Sequence, residues 1–284
     1  MSIVVTGATG KLGTLVIAEL LEKVPSSAIT AVARSAEKAA ALTGRGIEVR
    51  TADYGVPETL EAVFNAGDTV LLISGSEVGQ RVPQHRAVIE AAVKADVSRL
   101  VYTSVLGGPA ADFLLAEEHK ETEQILIESG VQYTLLRNGW YSENYTEQIP
   151  AQLQFGVAGS AGAGRLGTAS RADYAAAAAV VLTTEGHENV AYELSGDTSF
   201  TLTDYAAELA RQTGTDVTYT DLPPAAFEEV LANAGVPAPL AHILADVDIA
   251  VSKGLLEGGS GDLSRLIGRH TTPISESIAL ELSR

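Results

Sequence analysis

Short runs of apolar, β-branched residues alternate with longer stretches of helical spacing through the first half of the chain, from Ile3-Val4-Val5 to Thr134-Leu135-Leu136. Near-continuous apolar runs mark strands buried on both faces, and the helical stretches between them mark crossovers. The spacing predicts strands at residues 3–6, 29–33, 47–51, 69–73, 100–103 and 133–137. Helices are predicted over 11–23, 36–42, 57–64, 83–95 and 117–129. Strands joined by crossover helices make an α/β doubly wound parallel sheet, the Rossmann arrangement.

The pattern changes after Arg137. An aromatic segment, Trp140-Tyr141-Ser142-Glu143-Asn144-Tyr145, precedes a glycine- and alanine-rich stretch over 156–167 that reads as a mobile loop. A helix over 171–182 and a strand over 191–194 return to the sheet. From Thr201 the pattern is mostly helical, with one strand near 217–220 and a loop at 258–261. The expected organisation is a dinucleotide-binding domain over 1–195, with an insertion over 138–170 lining its cleft, and a smaller C-terminal α/β lobe on the substrate side over 196–284.

Composition narrows the classes. With 284 residues, 46% of them hydrophobic, the chain can bury a large core. No apolar run approaches the roughly 18 residues of a membrane span, and no leader pattern follows Met1, so a cytoplasmic protein without membrane association is expected. The chain has no cysteine, which rules out disulfides and thiolate chemistry and leaves redox work to a borrowed cofactor. A formal charge of −17 opposes nucleic acid as a partner. One compact anion can still bind where local cations and backbone amides outweigh distant charges screened beyond roughly 10 Å. The five histidines form no His-Glu-x-x-His, no Gly-x-Ser-x-Gly is present, and no metal is expected.

The chemistry is most legible at the first strand. It runs into Gly7-Ala8-Thr9-Gly10-Lys11-Leu12-Gly13, with a helix opening inside the motif. There Gly7 permits a tight turn, Gly10 lets backbone approach a pyrophosphate, and Gly13 allows close packing of helix on sheet. At the end of the second strand, where an NAD enzyme places an acid on the ribose, stands Arg34. A guanidinium pairs bidentately with a 2′-phosphate, so NADPH is the expected cofactor, with Ser35 and Lys38 in support. Asp53-Tyr54 follows the third strand, where Asp53 either meets the adenine or caps a turn. Ser74-Gly75-Ser76 follows the fourth, where small residues let ribose and nicotinamide approach the backbone.

These residues resemble the NmrA-like, atypical short-chain dehydrogenase/reductases, among them the bacterial type 2 NADPH:quinone oxidoreductases, with triphenylmethane dye reductases as near relatives. The shared stretches are Val5-Thr6-Gly7-Ala8-Thr9-Gly10, Ile73-Ser74-Gly75-Ser76-Glu77-Val78-Gly79-Gln80-Arg81, Leu136-Arg137-Asn138-Gly139-Trp140-Tyr141-Ser142-Glu143-Asn144-Tyr145 and Arg171-Ala172-Asp173-Tyr174-Ala175. The resemblance implies that the glycine loop, Arg34, Ser74, Gly75, Ser76, Gly139, Trp140, Tyr141, Ser142, Glu143, Asn144 and Arg171 contact NADPH. It also implies a departure from the wider class, because no tyrosine here has a lysine four residues later. In the matching region His119 falls at the lysine position, Leu115 at the tyrosine position, and Glu123 keeps the trailing acid.

That departure suits a quinone-like acceptor. Ketone reduction leaves an alkoxide about as basic as hydroxide, near roughly 15.7, whereas quinone reduction leaves a phenolate whose acid titrates near about 10. The gap lowers the demand on a dedicated acid by on the order of 7 kcal/mol. Asn138 is a candidate donor to a quinone oxygen, Trp140, Tyr141 and Tyr145 a candidate wall for a flat ring, and His119 a candidate proton relay, each with core packing as its plain alternative. Two other functions fit the same residues: a non-catalytic dinucleotide sensor, and a reductase of another conjugated electrophile such as a triphenylmethane dye. A homodimer is the expected assembly.

Overall fold

A computed structural model describes residues 2–284. Its strands are β1 (Ile3–Val5), β2 (Ile29–Ala33), β3 (Glu48–Thr51), β4 (Thr69–Leu72), β5 (Arg99–Val105), β6 (Tyr133–Asn138), β7 (Val157–Gly159), β8 (Val190–Leu194) and β9 (Tyr219–Asp221). Seven of them form one sheet in the order β3-β2-β1-β4-β5-β6-β8. The register between β1 and its neighbours is parallel, Ile3 facing Ile29 on one side and Thr69 on the other. The switch of direction falls at β1, where an open α/β sheet forms its ligand crevice. The expected doubly wound fold is therefore the fold observed.

The apolar runs do what their composition demands: every residue of β2 and β5 is buried. Helix Lys11–Leu21 packs on the alanine-rich helix Arg171–Thr183, whose Ala175, Ala177, Ala178 and Ala179 are all buried. Across the sheet, Leu72, Val88, Ile89, Leu100 and Tyr102 belong to a second apolar layer.

Two predicted crossover helices contract. Over 36–42 the chain makes turns and then only the short helix Ala40–Thr43, because Ala39 and Leu42 alone anchor it in the core and no side chain caps its start. Over 57–64 the helix is a 3₁₀ turn, Pro57–Leu60. Short helices need a buried face to persist; residues 36–42 offer little of one, whereas Leu60, Val63 and Phe64 are buried in the core although the chain there makes only a 3₁₀ turn.

The chain divides into two compact units. The first comprises residues up to Gly108, Glu118–Asn138 and Arg171–Tyr192; the second comprises Pro109–Glu117, Gly139–Ser170 and Glu193–Arg284. Within the second, the stretch expected to be a mobile loop is built structure: β7 pairs in parallel with β9, Val157 facing Tyr219. Its glycines serve close approach. A Cβ on Gly164 would lie 2.4 Å from the Val251 carbonyl oxygen, and one on Gly167 would lie 2.0 Å from that of Glu257. Helix Leu202–Thr213 is bounded by a capping box, Thr201 Oγ1 accepting from Asp204 N at 3.0 Å, and by left-handed Gly214. Among the described residues no helix is long and apolar enough to cross a membrane.

Candidate functional site

The turn after β1 is set by backbone. Gly7 adopts φ +60°, and Gly10 N–H donates to Gly7 O at 2.9 Å. A Cβ at Gly13 would meet Gly7 O at 2.3 Å and Ala8 Cα at 2.8 Å, so the first helical turn sits directly on the loop. Helix Lys11–Leu21 starts at Gly10 with no side-chain cap and no acid in its first turn. Its leading N–H groups carry the positive end of the helix dipole, an arrangement suited to an anion.

Neighbouring strand ends in the first unit carry further candidate residues. Arg34, just past β2, is well exposed, and its Nη1 lies 3.2 Å from Glu77 Oε1. Lys38 N–H donates to Ser35 Oγ at 3.4 Å. Asp53 takes the turn role: its Oδ1 accepts from Gly55 N at 2.8 Å, while its own N–H donates to Thr59 Oγ1 at 2.9 Å. Tyr54 donates to Thr6 Oγ1, which itself donates to Leu71 O at 2.9 Å, tying β1, β4 and the end of β3 together. Burial raises the Tyr54 hydroxyl well above the ordinary tyrosine range.

The turn over 74–76 is held from behind by residues that sequence reading did not single out. Ser74 N–H donates to Thr103 Oγ1 at 2.9 Å, and Gly75 N–H donates to His85 Nε2 at 3.0 Å. His85 Nδ1 meets Thr122 Oγ1 at 3.1 Å, and that hydroxyl donates to Glu118 O at 2.7 Å. Each link fixes the next, so His85 is neutral with its proton on Nδ1; burial, aided by the nearby Arg81 charge, pushes its pKa down to about 3. Arg81 is buried, its Nε donating to Gly75 O at 2.9 Å and its Nη1 to Glu118 Oε2 at 2.8 Å. The other Glu118 oxygen accepts from the N–H groups of Gly79 and Arg81, each at 3.1 Å.

Deeper in the same unit, His119 Nδ1 lies 2.7 Å from the Tyr102 hydroxyl, and both side chains are buried. Burial first, then the charges of Arg81 and His85, lowers His119 well below the usual histidine range. Glu123 Oε1 accepts from Ser104 Oγ at 2.6 Å, and the carboxylate is gripped by Arg137. Asn138, also buried, ends β6; Arg171 opens helix Arg171–Thr183.

The aromatic segment lies in the second unit. Gly139 N–H donates to Leu194 O at 2.7 Å, and Ser142 is held by Ala169 O at 2.9 Å and Thr168 Oγ1 at 2.9 Å. Tyr141 bridges to Ala169 beside Trp140, whose carbonyl accepts from Ala169 N at 3.3 Å. Glu143 and Asn144 open the short helix Glu143–Thr146. The Tyr145 ring lies 5.7 Å from that of Tyr205, and burial raises its hydroxyl well above the usual range. Nearby Asp248, unforeseen from the sequence, is a buried carboxylate whose Oδ2 accepts from Ser160 N at 2.7 Å. Burial, with the Asp221 charge adding to it, pushes its pKa up to about 6.

A glycine turn on an uncapped helix, small residues after β4, and a guanidinium where β2 ends fit a phosphate-bearing dinucleotide. The chain belongs to the NAD(P)H-binding family, which matches residues 7–185. It is 51% identical over 278 residues to quinone oxidoreductase 2 of Escherichia coli, an alignment covering 98% of this chain and 97% of that protein. The crystal structure of the NADPH-dependent quinone oxidoreductase of E. coli complexed with NADPH matches at a TM-score of 0.96, with 50% identity over 99% of each chain. Citrobacter sp. triphenylmethane reductase complexed with NADP(H) matches at a TM-score of 0.94, with 38% identity over 99% of this chain and 100% of that one. The resemblance read from the motifs is thereby borne out.

Proposed function

We propose that this chain is an NADPH-dependent oxidoreductase that transfers a hydride to a small quinone-like acceptor. The observation that carries the reading is the pairing of the glycine turn with Arg34, a cation where an NAD enzyme keeps a carboxylate. When bound, the nicotinamide supplies the hydride. The chain's residues do the rest. The turn from Gly7 to Gly13, with Thr9, Lys11 and Leu12, holds the pyrophosphate, and Arg34 holds the 2′-phosphate. Ser74, Gly75 and Ser76 present a flat backbone edge to the ribose. That edge stays flat because Arg81 fixes the Gly75 carbonyl and His85 fixes its N–H.

Asp53 acts on the adenine end through the turn it closes. Gly139, Trp140, Tyr141, Ser142, Glu143, Asn144 and Arg171 complete the cofactor contacts, Asn138 donates to an acceptor oxygen, and Tyr141 steadies the acceptor ring. His119 acts through its bond to Tyr102. The phenolate product asks little of a proton donor, so positioning carries most of the catalysis. A cytoplasmic homodimer is the expected state.

Following NADPH absorbance with simple benzoquinones, naphthoquinones and a triphenylmethane dye tests the reading. Rapid turnover with quinones and NADPH, and slower turnover with NADH, is expected. Turnover confined to the dye would reassign the acceptor. Tight binding of oxidised and reduced cofactor without turnover of any acceptor would make the chain a sensor.

A further inference from the structure

Glu77 divides its carboxylate between two partners. Oε1 lies 3.2 Å from Arg34 Nη1, and Oε2 accepts from Gln84 Nε2 at 2.8 Å. Gln84 stands in the first turn of helix Arg81–Lys94, with its own Oε1 close enough to Gly75 that a Cβ there would fall 3.0 Å from it. The carboxylate is therefore aimed at Arg34 by a helix-borne amide and is not a chance surface neighbour.

Both members of the pair are open to water, Arg34 at 70% and Glu77 at 52% exposure. An exposed pair of this kind is weak and exchangeable. A carboxylate and a phosphate present the same oxygen geometry to a guanidinium, but a phosphate monoester carries up to roughly two negative charges. A 2′-phosphate arriving at Arg34 must take the guanidinium from Glu77 and bear the repulsion of the displaced carboxylate. A ribose with a free 2′-hydroxyl makes no such demand and leaves the pair intact.

We propose that Glu77 is a specificity-determining residue: it occupies Arg34 as a stand-in anion and thereby sets how far the chain favours NADPH over NADH. This rests on the reading of Arg34 as the 2′-phosphate ligand. Glu77 limits the preference that Arg34 creates, and its removal widens that preference.

Isothermal titration of the whole protein with NADPH and with NADH, in wild type, Glu77→Gln, Arg34→Ala and the double variant, tests this by binding alone. Glu77→Gln keeps the bond to Gln84 within reach and changes an exposed side chain, so the fold is expected to persist. Its NADPH Kd should fall by about two- to five-fold, the scale of an exposed ion pair, while its NADH Kd stays put. In the Arg34→Ala background, where there is no guanidinium to contest and only the carboxylate's repulsion remains, the same change should have a clearly smaller effect. A Glu77→Gln variant with unchanged or weakened NADPH binding overturns the inference, and so does an effect that persists at full size without Arg34. If Arg34→Ala leaves the preference for NADPH intact, the cofactor reading itself fails, a result distinct from the other two.

Discussion

Arg137 meets Glu123 with two prongs, Nε donating to Oε1 at 3.0 Å and Nη2 to Oε2 at 2.8 Å. Glu123 is only 2% exposed, so the pair pins helix Leu114–Glu128 to β6 inside the first unit. Removing one partner leaves the other charge buried. Glu123→Ala is expected to lower the unfolding free energy by about 3–5 kcal/mol in urea titration, and adding Arg137→Met should restore part of it. Gly108→Ala attacks the same pair, since its Cβ would fall 2.2 Å from Arg137 Cζ at a backbone φ of +47°. A loss under about 1 kcal/mol for Glu123→Ala would mean that water screens the pair as it does surface ones.

Gly13 is constrained by backbone atoms, which cannot swing aside. Gly13→Ala should cost about 1–3 kcal/mol through overpacking and weaken NADPH binding more than ten-fold, because relief requires lifting the helix N-terminus off the loop. Gly10→Ala, whose Cβ meets Gly7 O at 3.2 Å, should disturb folding less. Equal stability and equal affinity for Gly13→Ala and wild type would show that the turn tolerates a methyl.

Asp248 imposes a pH dependence on stability. Its folded pKa of about 6 lies above the ordinary 3.8, so the folded chain holds the proton more tightly. The contribution is fully present below about pH 4 and is lost as pH rises to about 6, a change on the order of 3 kcal/mol. Asp248→Asn keeps an oxygen for Ser160 N–H and does not titrate. Its stability relative to wild type should climb across that window and level off above it. A flat difference between the two proteins from pH 4 to 8 would refute the assignment.

His85 works in the opposite direction. Its folded pKa of about 3 lies below the ordinary 6.5, so its contribution is complete above pH 6.5 and drains away as pH falls toward 3. His85→Leu should lose that dependence. At pH 7 it should also cost about 1–3 kcal/mol by stranding Gly75 N–H. Because Gly75 edges the proposed ribose site, the NADPH Kd should rise several-fold while the Kd for a quinone product changes little. Loss of stability without any change in cofactor affinity would separate His85 from the site.

The sheet was legible because strands buried on both faces are mostly apolar, as the all-buried β2, Ile-Thr-Ala-Val-Ala, illustrates. The segment 36–42 falls short of a full helix for the converse reason: alanine and glutamate favour helix locally, but only Ala39 and Leu42 reach the core to hold one. Glycine proved ambiguous. At Gly7 the motif identified its purpose, whereas at Gly164 and Gly167 the same residue type was taken for mobility when it serves contact with distant backbone.

Local order along the chain was enough to determine the glycine turn, the guanidinium at the end of β2 and the missing Tyr-x-x-x-Lys, since each concerns residues a few positions apart. Only the fold decided that Gly75 leans on His85, that Arg81 and Glu118 brace the same turn, and that Glu77 holds Arg34. A hydrogen bond is set by distance and direction between atoms, and these partners come from separate strands and crossovers whose meeting no local pattern encodes.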